Sequence, residues 1–188
     1  MRVKPYRTMV RGASLVGICM ALCLSMRAQN QSAPASENSC RQFTQEFYDW
    51  YVSNSTTRAE KRNGMSALEF ALKNRQSSFE PSLARELQHV LAEEKRTKEP
   101  ILDSDPILNS QDPDQRYRVG AVTHKEGKCR AEVYGITAGK KREKPDVVAE
   151  LVPQDRLWRF ADFDYPNAES PENKSLTAML KFLGKARN

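Results

Sequence analysis

Apolar residues recur at helical spacing in the first half of this chain and at every second position in the second half. Cys40, Phe43, Phe47, Trp50 and Tyr51 fall on one face of a helix over residues 39–53. Ser39 is its candidate N-cap, with Gln42 three residues on as a capping box. Polar residues from Ser53 to Gly64 read as a loop. Ser66 and Glu69 form a second capping box, opening a short helix with Leu68, Phe70 and Leu72. Pro81 suits the first position of a third helix, with Leu83, Leu87, Val90 and Leu91 as its apolar face, running to about Lys98.

Pro100 begins an acidic, turn-rich stretch that ends near Asp114, and beyond it the period becomes two. Tyr117, Val119 and Ala121 alternate with polar or small neighbours, as do Cys129, Ala131 and Val133, then Val147, Ala149 and Leu151. Leu157 to Tyr165 gives a further run, with Trp158 and Phe160 on the face opposite Leu157 and Phe163. Gly, Lys and Pro between these runs predict an antiparallel meander of about four strands. Leu176, Met179, Leu180 and Leu183 close the chain with a short helix before Gly184. Helices first and strands second is the α+β pattern. It predicts N-terminal helices on a curved antiparallel sheet, with Phe43, Phe47 and Trp50 buried in the concavity.

The opening residues follow neither period. Arg2, Lys4, Arg7 and Arg11 precede an apolar run, Gly12 to Met26, the form of a secretory signal. The run is short of the ~20 residues of a comfortable membrane span. The expected cut follows Ala28, although Met26 at −3 is larger than the peptidase prefers, and an uncleaved anchor is the alternative. Ile18 and Leu22 stand before Cys19 and Cys23 where lipidation needs a small residue. The reading is a signal peptide over 1–28, a flexible linker over 29–38 and one α+β domain over 39–188, in the periplasm or outside the cell.

Charge follows from that division. The chain has 30 basic and 24 acidic residues, but five of the bases and none of the acids precede residue 29. The remainder is nearly neutral, which argues against nucleic acid as a partner. Lys140, Lys141, Arg142 and Lys144 read as a solvated hairpin tip. Two cysteines remain, Cys40 and Cys129, and in an oxidising compartment an isolated pair is most simply a disulfide. The alternative is two separate buried thiols. With only His89 and His124 beside them, they make no zinc-spaced set, and no metal or cofactor is expected.

Two regions are candidates for binding chemistry. Asp103, Asp105, Asp112 and Asp114 offer carboxylate oxygens suited to a hard cation, but an EF-hand register would put Ile107 and Leu108 at positions 5 and 6 and end on Asp114 rather than Glu. Turn-capping by Asp beside Pro is the simpler reading. The second candidate is an aromatic-lined pocket in the concavity, formed by Tyr48, Trp50, Tyr51, Trp158, Asp162 and Tyr165. A catalytic carboxylate there would need an apolar wall to raise its pKa. Core packing is the competing reading, His124 reads as a surface residue, and no nucleophile–base pairing or nucleotide-binding motif is visible, so no catalytic residue is assigned.

Three stretches carry a family resemblance: Phe47-Tyr48-Asp49-Trp50-Tyr51; Asp103-Ser104-Asp105-Pro106 with Gln111-Asp112; and Trp158-Arg159-Phe160-Ala161-Asp162 with Tyr165. In order and spacing they resemble domain-of-unknown-function family 3828, small exported bacterial proteins that include YbjP-type lipoproteins. The resemblance covers about Cys40 to Leu183. It implies a bacterial envelope protein with a cone-like fold of the nuclear-transport-factor superfamily, and it implies no activity. The missing lipidation site means that membrane tethering is not carried over.

The expectation is therefore an exported, non-enzymatic domain that binds a protein or small-molecule ligand, with no stable membrane span after cleavage. The rivals are a cofactor-free hydrolase, isomerase or lyase using the aromatic cavity, and an immunity- or inhibitor-type interaction protein.

Overall fold

The structure, a computed structural model, describes residues 36–55 and 63–185. The signal segment, its cut and most of the linker lie outside the described residues. Helix α1 spans Glu37–Ser55, so Glu37 and Asn38 are helical rather than linker. Its cap also lies earlier than the expected Ser39. The Ser36 hydroxyl accepts from the Ser39 amide at 3.2 Å, and the Ser39 hydroxyl accepts from the Ser36 amide at 2.9 Å. This is a reciprocal capping box three residues upstream, and it leaves the Gln42 side chain to bond Glu46 at 2.8 Å.

Helix α2, Ala67–Asn74, is capped by Ser66 as expected, with the hydroxyl accepting from the Glu69 amide at 3.1 Å. The Glu69 carboxylate reaches Lys95 on the next helix instead of returning to Ser66. Helix α3, Pro81–Thr97, has Pro81 in its first turn and ends at Lys98 in the left-handed region, φ 61°. A 3-10 turn, Gln76–Ser78, joins α2 to α3 and leads into Phe79, which bridges to Phe160.

The strands are β1 (Tyr117–Lys125), β2 (Lys128–Thr137), the two-residue β3 (Lys140–Lys141), β4 (Val147–Gln154) and β5 (Leu157–Asp164). They form an open antiparallel sheet in the order β1-β2-β4-β5, with β3 on β2. Two bulges break the simple alternation read from the sequence. In β1, Val119 pairs with Val133 but Val122 pairs with Ala131, so Val122 takes the buried place and Ala121 is exposed. In β5, Glu150 opposes Asp162 and Leu151 opposes Phe160, which leaves Ala161 as the extra residue. One inserted residue reverses the face of everything after it. Phe163 therefore joins Trp158 and Phe160 on the buried face instead of opposing them, and its ring stacks on Phe160 at 5.1 Å.

Helix α1 covers that face. Its side chains also close the sheet's β1 edge. Gln45 donates to the Tyr117 carbonyl and accepts from the Val119 amide, at 3.1 and 3.0 Å, while Arg41 donates to the carbonyls of Val119 and Gly120. Covering an edge strand's free amides and carbonyls prevents another strand from pairing there. The Cys40–Cys129 disulfide joins the first turn of α1 to β2, with both residues fully buried and Cα atoms 6.6 Å apart.

Helix α4, Leu176–Lys185, continues through Gly184 rather than stopping before it. Its first turn is held by Asp162 Oδ1, which accepts from the Thr177 amide at 2.9 Å, and by the Ser175 hydroxyl, which accepts from Ala178 at 3.2 Å. Among the described residues no helix is long and apolar enough to cross a membrane.

Candidate functional site

Ile107 and Leu108 are fully buried, and the aromatic stripe of α1 and the end of β5 reach the segment that carries them. Tyr48 donates its hydroxyl to the Ile107 carbonyl at 2.9 Å, and Tyr165 donates to the Pro106 carbonyl at 2.8 Å. Tyr51 donates to Asp105 Oδ2 at 2.8 Å. Asp105 Oδ1 accepts from the amides of Ile107 and Leu108 at 2.9 and 3.1 Å, an Asx turn. Burial pushes the Tyr48 and Tyr165 hydroxyls well above their ordinary pKa, with nearby tyrosine and carboxylate charge adding to it. At neutral pH they are protonated donors, not bases.

The acidic quartet is thus divided. Asp105 faces inward. Asp114 bonds the Thr137 hydroxyl at 2.6 Å and the Arg142 guanidinium at 2.8 Å, and Arg142 also holds Asp146 at 2.9 Å. Asp103 and Asp112 are exposed. Among the described residues no three His, Cys, Asp or Glu side chains stand close enough to hold a metal. Arg142 also corrects the reading of the basic cluster: Lys140 and Lys141 are solvated, but Arg142 is a clamp between two carboxylates.

The six residues expected to line one aromatic pocket are spread instead over several contacts. Trp50 stacks on Phe70 of α2 at 6.0 Å, with the Arg75 guanidinium 4.7 Å from its ring centre. It is half-buried on the α2 side of α1 rather than in a concavity. Trp158 donates its indole N–H to Ser39 at 3.0 Å and meets the edge of His124. Asp162 caps α4. The space between α1 and the sheet is filled by Phe47, Phe79, Phe160 and Phe163, with ring centres 4.6 to 6.0 Å apart. Asp164, on the sheet's other face, has its pKa raised by burial, which the Arg130 guanidinium at 2.5 Å opposes.

An open cleft of about 670 Å³ lies outside that core, between the 101–109 segment, the connector that follows β5, and α4. Its apolar wall includes Ile101, Leu102, Pro106, Met179, Phe182 and Leu183. Asp103, Ser104, Asn109, Asn167, Glu169 and Ser170 supply polar groups. The Phe182 side chain is 52% exposed, an unusual state for an aromatic ring beside other apolar side chains. The Ser170 hydroxyl oxygen is buried with no hydrogen-bond partner. Of the candidate site residues read from the sequence, Tyr165 and Asp103 line this cleft. The apolar face of α4 was legible, but its spacing reads the same for a packed helix as for a half-open one.

No protein-family model, curated protein or solved structure matches the chain.

Proposed function

We propose that the chain is an exported binding domain whose ligand sits in the cleft between residues 101–109 and α4, with no bond made or broken there. The observation that carries this reading is the cleft itself: a concave, mainly apolar wall with a few polar groups, bordered by a half-exposed phenylalanine. The chemistry of the surrounding groups supports binding over catalysis. The three tyrosine hydroxyls nearest the loop are committed donors. His124 lies against Trp158, and His89 is on α3, so neither histidine is among the residues around the cleft. Export draws support from the basic, apolar opening of the chain and from the buried Cys40–Cys129 bridge, which suits an oxidising compartment. Kinship with the envelope family rests on the three short motifs alone.

The test is native mass spectrometry of the protein recovered from its natural source, beside Ala168→Trp, which fills the cleft from the connector. The reading expects a small-molecule adduct on the wild type and none on the variant. Wild type without an adduct, or an adduct unaffected by the tryptophan, contradicts it.

A further inference from the structure

We infer that the occupant of this cleft is an amphiphilic cation, a primary ammonium carried on an apolar body; the inference rests on the binding reading above and names the ligand class for the same site. The cleft is lined by two carboxylates, Asp103 and Glu169, and by no lysine, arginine or histidine. Asp103 and Glu169 have no ion pair among the described residues. A ligand cation would meet two carboxylates and no competing base in the lining.

The walls define the rest of the molecule. Leu102, Met179, Phe182 and Leu183 remove an alkyl or aryl body from water. The exposed Phe182 ring offers its face to a cation as well as its area. An anionic head of the same size meets two like charges and gains no cationic partner from the lining.

The experiment compares three probes with one tail, octylammonium, 1-octanol and octyl sulfate, by calorimetric titration below their aggregation limits. On wild type, octylammonium binds about tenfold more tightly than octanol, the size expected from two exposed ion pairs, and octyl sulfate binds most weakly. In the Asp103→Asn/Glu169→Gln double variant, whose changes are at exposed positions, octylammonium falls to the octanol level while octanol is unchanged. Raising salt from about 0.02 to 0.5 M shrinks the ammonium advantage on wild type, a readout that needs no variant. Equal binding of octylammonium and octanol, both lost in Ala168→Trp, overturns the cation and leaves the cleft standing. Binding of all three probes unaffected by Ala168→Trp overturns the cleft as well.

Discussion

Three tyrosines show how much one polar atom adds to a residue read only as aromatic. Tyr48, Tyr51 and Tyr165 were legible as apolar bulk because their spacing is helical or alternating. Their hydroxyl roles were not, since Tyr48 and Tyr165 bond carbonyls 59 residues away in sequence. Tyr48→Phe or Tyr165→Phe keeps the ring and orphans a buried carbonyl, so each variant should lose about 1–2 kcal/mol in urea denaturation. The pH dependence has a definite sign. Both hydroxyls have pKa values raised by burial, so the folded state keeps protons that the unfolded chain releases near pH ~10. The stabilisation is complete below that pH and is lost as pH rises toward the folded values. The urea midpoint should fall between pH 8 and pH 11, and fall less in the Tyr48→Phe/Tyr165→Phe double variant. An equal fall in both would assign the alkaline loss to other groups.

Elements were easier to find than their faces. The helices, the antiparallel order and the closing helix all follow from apolar spacing and caps, because those signals are local. The bulges between Val119 and Val122 and at Ala161 are not visible, because an extra residue is defined only by the strand beside it. Phe163 separates the two readings of β5. Strict alternation puts it with Leu157, which is 60% exposed, whereas the bulge buries it completely. Phe163→Ala should therefore cost about 3–5 kcal/mol, while Leu157→Ala should stay within about 0.5 kcal/mol. Similar small losses from both, in matched denaturation curves, would remove the bulge. Helix α4 depends on a residue first read as part of a pocket. Asp162→Ala removes the acceptor of the Thr177 amide and should cost about 1 kcal/mol. Amide exchange should then speed up across residues 176–185 more than across 101–110.

At the scale of the molecule, the Cys40–Cys129 bridge ties the first helix to the sheet, and the cleft beside α4 lies outside the aromatic core. The bridge could be anticipated from two remaining cysteines, and the structure joins them across 89 residues of chain. In the chain-entropy account a loop of that length is worth about 4–5 kcal/mol, so Cys40→Ala/Cys129→Ala should lower stability by about that much. An unchanged urea midpoint would mean the bridge does not form. The cleft was hidden because its walls come from segments some seventy residues apart, each of which reads as a loop or an ordinary amphipathic helix. Of the aromatic residues that looked like a pocket, the three tyrosines hold the loop wall of that cleft in place. Amide and aromatic NMR shifts recorded while octylammonium is titrated into the protein test this arrangement most directly. The account predicts shifts at Leu102, Asp103, Ala168, Phe182 and Leu183, with the rings of Phe47, Phe79 and Phe160 unmoved. Shifts centred on those three rings, with α4 silent, would place the ligand inside the core and contradict it.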